Sequence, residues 1–430
     1  MDSSMWRFAL LLCLTSACAG PSVTTVRPEQ PVPVPPPAAK VPPPPTPTGP
    51  FARELAPLPR QRVSSAEGIF TAEVEATSAP RLTRHEGSTR LEIPLGTEAA
   101  LSCFVYERPI DAAGAVLAVA KAAQGHKGVT VRSMAPTEVT VVADAPVMFV
   151  DVDYEVVASG DSVSAGRLKL MVSASPELPL LCAHDEPGYA RTFHRVTTGL
   201  AATLKVPGPA RTPARTKALR VLKLDGRLAG FDWRTEQRLE GGSRRTEVST
   251  SLLLPGATNG PHAEDRTITT VTDEEGRLKE QRHAHAEDGR LTLQVTLRRE
   301  REPQPPTRAA PETAYRYEGR QGSRALKGTF TSKRGLATED TVHDTVRDVL
   351  RPGGPAEAVL DVYRPADVPS APTELVLRRV PSAGPRALTL TTGDATEEAR
   401  AAESGTLEWT KRALPEGQLT SELIHGSPPP

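Results

Sequence analysis

The feature that most constrains this chain is two-residue alternation, repeated through its second half. Leu291, Leu293, Val295 and Leu297 point one way along a strand, and Thr292, Gln294, Thr296 and Arg298 point the other. Residues 217–224, 230–239, 246–254, 266–272 and 277–286 also read as strands. Turn signals at Asp273 to Gly276 and at Glu287-Asp288-Gly289 join consecutive runs into an antiparallel meander. Further strands follow at 315–318, 326–331, 358–363, 374–379, 388–390, 406–411 and 418–424. Each has an apolar face that must leave water. At about 25 cal/mol per Å², leaving several Leu and Val side chains exposed forfeits several kcal/mol. Only Glu339–Leu350 reads as a helix there, with Val342, Val346, Val349 and Leu350 on one side. Twelve residues span roughly 18 Å, too little to cover a sheet of many strands. The sheet must curl over its own face, pack on the first half of the chain, or hold a ligand or partner.

The first half has a different pattern. Short strand runs at 69–74, 91–93 and 101–106 lead to an alanine-rich helix over 112–123, which Asp111 can cap and which tolerates Gly114. Strands follow at 129–132, 138–142 and 147–157. In the last of these Met148, Val150, Val152, Tyr154 and Val156 share a face opposite Asp151, Asp153 and Glu155. After strands at 167–172 and 178–183, a closing helix starts near Asp185-Glu186-Pro187 and carries a stripe of Tyr189, Phe193, Val196, Leu200 and Leu204. The expected fold is an α+β N-terminal domain, an antiparallel sheet with two helices, followed by a mainly antiparallel β C-terminal domain forming a curved sheet or half-barrel. By its pattern of elements the first domain resembles the PsbP/Mog1-like fold. The strand succession of the second resembles the curved sheet of LolA/LolB-type lipoprotein carriers.

The N-terminus sets location. Arg7 precedes the apolar run Phe8 to Leu14, which suits an export signal and is too short for a membrane span. The stretch Leu14-Thr15-Ser16-Ala17-Cys18 resembles the lipobox of bacterial lipoproteins, with Thr15 where such motifs usually carry Leu. The resemblance implies that Cys18 is lipidated and becomes the mature N-terminus. Ala19, where an aspartate would mark inner-membrane retention, then points to the outer membrane. The alternative is an ordinary secretory signal cut after Ala17 or Ala19. Thirteen prolines in residues 19–50 favour an extended polyproline spacer, able to reach roughly 100 Å. The organisation is thus signal peptide 1–17, lipidated cysteine and proline-rich tether 18–61, α+β domain 62–206, linker 207–215, β-rich domain 216–425 and a disordered tail 426–430.

Lys+Arg and Asp+Glu are equal at 52 each, which argues against nucleic-acid binding. Aromatics at 4% argue against a sugar- or base-stacking groove. Once Cys13 leaves and Cys18 is lipidated, Cys103 and Cys182 can form one disulfide in an oxidising compartment, the alternative being two buried thiols. His283 and His285 share one strand face, with His262 and Glu264 as further donors, but a zinc site needs three or four ligands and no set is identifiable. Ala284 and Ala286 take the other face, which places the histidines toward water. His184-Asp185-Glu186 is better explained as a helix start than as an acid–base cluster. Asp151, Asp153 and Glu155 suit a solvated face better than a calcium site. No GxSxG, HExxH, P-loop or GxGxxG motif is present. The expectation is a non-catalytic binding or scaffold module, needing no cofactor, held to the membrane by its N-terminal lipid. A carrier or sensor of a lipid or other apolar ligand is the alternative, an envelope hydrolase the third; an envelope protein or an apolar ligand would be the partner.

The anchoring expectation has a direct check. A Cys18→Ser variant should appear in the soluble envelope fraction while the wild type sediments with membranes; retention of both in the membrane pellet would refute it.

Overall fold

The computed structural model describes residues 49–157, 163–208, 214, 216–255, 260–300 and 312–426. The expected signal peptide, Cys18, the expected tether through Thr48, residues 209–213 and 215 of the expected linker and the tail from 427 lie outside the described residues. In chain order the first region holds β1 (Arg60–Ser64), β2 (Thr71–Glu75), β3 (Arg81–His85), β4 (Ser88–Ile93), β5 (Leu101–Tyr106) and α1 (Ala112–Gln124). It continues with β6 (Val129–Val142), β7 (Ala145–Val157), β8 (Val163–Ser173), β9 (Leu180–His184) and α2 (Ala190–Thr203). Strands β1 and β2 pair as a small hairpin, and the others form a seven-stranded antiparallel sheet in the order β3-β4-β5-β9-β8-β7-β6. Cys103 and Cys182 face each other on β5 and β9, both fully buried, and are joined as a disulfide.

This sheet is covered on both faces, as its two apolar sets require. On one side Phe70, Leu91, Val147, Phe149 and Met171 pack with Phe193, Val196 and Leu200 of α2. On the other, Met148, Val150, Val152 and Leu170 meet Val116 and Leu117 of α1. The spacer ends earlier than residue 61: Leu55 and Leu58 pack on the first core, and Glu54 is tied to α2.

The second region is one fourteen-stranded antiparallel sheet. Its first eight strands are β10 (Thr216–Leu224), β11 (Arg227–Arg238), β12 (Arg244–Leu254), β13 (His262–Thr272), β14 (Leu278–Glu287), β15 (Arg290–Arg299), β16 (Thr313–Gln321) and β17 (Arg324–Ser332). After α3 (Glu339–Leu350) come β18 (Glu357–Val362), β19 (Thr373–Arg379), β20 (Ala387–Thr392), β21 (Ala395–Ala401), β22 (Leu407–Leu414) and β23 (Gly417–Gly426). The order β17 through β10, then β23 through β18, leaves β17 and β18 as the two edges. These edges approach each other and nearly close a barrel. Asp361 of β18 accepts from Ser332 Oγ at 2.7 Å and from Arg334 at 2.8 Å, while its carbonyl accepts from Ala337 N–H at 2.7 Å. The residue is buried, so one carboxylate and its backbone fasten the seam.

Two of the three covering solutions that the alternation allowed are realised, on opposite faces. Inside the bend, Leu293, Val295 and Leu297 pack with Tyr315, Tyr317 and Tyr363. Further round, Val346 of α3 packs with Leu375, Leu377 and Leu388. Outside, Leu219, Val221, Phe231, Trp233 and Leu253 lie in the same core as α1 and the first sheet. Residues of both regions share this core, because the outer wall of β10–β13 is itself apolar.

Helix starts are the main correction. Asp111 sits at the N-cap of α1 but makes no side-chain cap bond. The acceptor is Asp265 of β13, which takes Ala113 N–H at 3.1 Å and Gly114 N–H at 2.8 Å and also accepts from Ser251 Oγ. Likewise α2 begins at Ala190, after Tyr189 in left-handed conformation, and its second and third N–H groups go to Glu54 at 2.9 and 2.7 Å. Asp185 is no cap, since the intervening residues are tied elsewhere: Glu186 accepts from Ala99 N–H through its carboxylate and from Lys169 Nζ through its carbonyl. The carboxylates reach free N–H groups at the positive helix ends, the geometry of an ordinary cap supplied from a distance.

Gly114 has a reason beyond tolerance. A Cβ there would lie 2.9 Å from Cα of Gly289, in the β14–β15 turn. Gly114→Ala would normally gain about 0.5–1 kcal/mol of helix propensity, but the forced shift costs about 1–3 kcal/mol. The variant should therefore lose about 1–2 kcal/mol, read as a lower urea midpoint of the soluble full chain. An unchanged or higher midpoint would mean that α1 does not press on this turn.

Candidate functional site

The barrel encloses a cavity of about 540 Å³, within the size range of small-molecule sites. Its polar wall follows from strand register. Arg220, Asp232, Thr250, Arg266 and His285 are successive cross-strand partners on β10 to β14, and all five line the cavity. One row away, Leu222 and Leu252 continue the lining as apolar surface, with Ile268 and Leu293 beyond. From the far wall come Thr410 and Arg412 of β22 and Leu419 of β23, and from the segment after β18 come Tyr363 and Arg364.

The helix α3 closes one side of this space. Thr338 caps it by accepting from Thr341 N–H. Its first-turn acids are held by barrel arginines: Arg234 Nε lies 2.8 Å from Glu339, and Arg244 lies 2.8 Å from Asp340. Val342 and His343 then face the cavity. Burial drives the His343 imidazole below its ordinary pKa, with Glu339 opposing.

The lumenal charges differ in how they are satisfied. Asp232 accepts from Thr250 Oγ1 at 2.5 Å. Arg220 donates to the Leu407 carbonyl, and burial lowers its pKa against the pull of Asp232. Arg364 pairs with Asp367 at 2.8 Å. The side chains of Arg266 and Arg412 make no hydrogen bond or ion pair among the described residues. Arg266 lines the cavity and keeps exposed surface there, so solvent reaches it. Desolvation lowers its pKa, and the charges of Arg412 and Arg364 push the same way against Asp232.

His283 and His285 both line this cavity rather than facing outside water, as the alanines beside them had implied. His283 is 7% exposed, its Nε2 has no partner, and its ring meets Tyr363 edge-on at 5.6 Å. Burial first, and then the nearby Arg266, push its pKa down to about 3. His262 stays beside Glu264 at 3.7 Å, and His285 lies 4.0 Å from Glu287. No grouping able to hold a metal occurs among the described residues.

The other candidates resolve structurally. Asp153 is held by Arg167 at 2.8 Å and by Ser133 at 2.9 Å, and Glu155 by Arg132 at 2.5 Å. This is a cross-strand ion-pair face. His184 is buried against Tyr189 with both ring nitrogens unpartnered, and neighbouring Lys169 is pushed down to about 8 by burial. None of these residues lines the barrel cavity.

His283 supplies a pH test. Its folded pKa is depressed below the ordinary 6.5, so the stability of the neutral buried ring is present above 6.5 and is lost as pH falls toward 3. Asp265 acts with opposite sign: burial raises it to about 6, so its contribution favours acid and fades as pH rises through that value. Comparing His283→Gln with wild type at each pH isolates the histidine. The variant should lose less stability between pH 7 and pH 4, by up to about 3 kcal/mol. Parallel urea midpoints in both proteins would show that His283 is not buried as described.

No protein-family model matches the chain, and no curated protein is similar to it by sequence. Among solved structures it is similar to a beta-barrel-like protein of a domain of unknown function, DUF1849, from Brucella abortus. That similarity has a TM-score of 0.38 at 12% identity and covers 51% of this chain and 100% of the other.

Proposed function

We propose that the protein is a lipid-anchored envelope binding module whose barrel lumen receives a small ligand. The observation that carries this is the cavity of about 540 Å³, walled by polar groups, His283 Nε2 among them without a partner, beside aliphatic ones. Such a mixture orients a bound molecule through few polar contacts and holds it by apolar area. The Cys18 stretch and the proline run supply the anchor and reach, with the outer membrane as the destination. No helix among the described residues is long and apolar enough to cross a membrane. Catalysis and a cofactor are not part of the proposal. The carrier alternative, for a lipid or other apolar ligand, is favoured by Leu222, Leu252, Leu293, Leu407 and Leu419 on the cavity wall. A scaffold for an envelope protein would use the outer surface instead.

Native mass spectrometry of a soluble Cys18→Ser form, purified from the envelope without detergent, discriminates these. A small-molecule adduct that leaves on unfolding is expected, together with saturable uptake of an apolar fluorescent dye. An empty protein that takes up neither dye nor ligand extract would leave the scaffold alone standing.

A further inference from the structure

Building on the lumenal-binding proposal, we propose that the ligand is an amphipathic anion whose oxyanion head is held by Arg266, Arg412 and Arg364. The three side chains come from separate parts of the barrel, β13, β22 and the segment after β18, and line one cavity. Arg266 and Arg412 have no partner among the described residues, and Arg364 spends one contact on Asp367. Like charges that converge in a partly desolvated space raise one another's energy. A single oxyanion between them removes that cost and accepts charge-assisted hydrogen bonds, which are about twice as strong as neutral ones. Burial lowers the Arg266 pKa, and Arg412 and Arg364 add to that fall while Asp232 and Glu264 oppose it.

A second observation is independent of charge. His283 lines the same cavity, is nine-tenths buried, and leaves Nε2 without a partner. A buried orphan of this kind is costly unless something bonds it. In the tautomer protonated at Nε2 it would donate to the same head group.

The lumenal carboxylates compete less than their number suggests. Asp232 is engaged by Thr250 and stands opposite Arg220, Glu264 lies beside His262, and Glu339 is held by Arg234. The rivals are Asp232, the charge that most opposes the lowered pKa of Arg266, and Glu397, in register with Arg412 on β21 and β22 but without an ion pair to it. The apolar body of the ligand has Leu222, Leu252, Leu407, Leu419 and Val342 to lie against.

Titration calorimetry on the soluble Cys18→Ser full chain tests this, with decanoate, decyl phosphate, decanol and decyltrimethylammonium as probes. Decanoate or decyl phosphate should bind at least tenfold more tightly than decanol or the ammonium, and which of the two binds better distinguishes a carboxylate from a phosphate head. Arg266→Gln and Arg412→Gln should each weaken the preferred anion at least tenfold without changing decanol, and Arg266→Lys should recover part of the loss. Glu397→Gln should strengthen anion binding, a gain that a merely structural role would not give. Arg378→Gln, at an exposed pair with Glu357 outside the cavity lining, should change nothing. Equal binding of decanoate and decanol, or tighter binding of the ammonium, would overturn the anion assignment while leaving a binding lumen. Absence of binding by all four probes, in protein whose thermal unfolding is unchanged, would count against both proposals.

Discussion

One buried carboxylate couples the two halves of this protein. Asp265 projects from the outer wall of the barrel into the N-terminus of α1, where two N–H groups have no partner within their own helix. Ser251 adds a third bond, and Ala263 and Asp288 nearby fix the β14–β15 turn through Ala263 N–H, Asp288 and Lys121. Without Asp265 the helix end would bury unsatisfied donors, and the close contact of Gly114 with Gly289 would have no polar tie. Apolar packing supplies area over this junction, but it is non-directional; the carboxylate sets the register of helix on barrel.

That junction also decides which face of the sheet looks inward. Over β10–β13 the large apolar residues Leu219, Phe231, Trp233 and Leu253 are claimed by the first sheet and α1. Their neighbours Arg220, Asp232, Thr250 and Arg266 must then turn inward. Further along, Leu293, Val295 and Leu297 of β15 make the inner face apolar. The lumen therefore passes from charged to aliphatic around its circumference, a consequence of where the neighbouring domain sits.

Much of the architecture was legible in the residues. The helix Glu339–Leu350 and the alternating strand around Asp151 and Asp153 stand where periodicity puts them, and the curved β sheet follows the count of uncovered strand faces. Cys103 and Cys182 lie opposite each other on paired strands. Other features were hidden for physical reasons. The runs 129–132 and 138–142 are one strand, β6, which tolerates Pro136 between them because β6 is an edge strand and shifts register at that point. The charged stretch Ala395–Ala401 carries little alternation and is a strand through its neighbours. Glu54 and Asp265 lie 138 and 152 residues from the amides they cap, so no local pattern announces them. The lumenal row was missed for a different reason. A polar residue opposite an apolar one signals solvent only when one face is covered, and here both are.

The strand order carries a consequence for how the chain is made. Nearly every ladder of the large sheet joins strands adjacent in sequence, which form quickly as local meanders. The exception is β10 with β23, tied also by Lys223 to Glu422 across 199 residues. Vectorial synthesis delivers β10 first among these strands and β23 last. Until the final strand arrives, β10 keeps a bare edge beside strands already facing the first domain. The two meanders, β10–β17 and β18–β23, then fuse in one late event that also brings the far wall, with Arg412, opposite Arg266. The lumen is therefore closed only when the last strand pairs, and a chain stopped before Gly417 would carry it open.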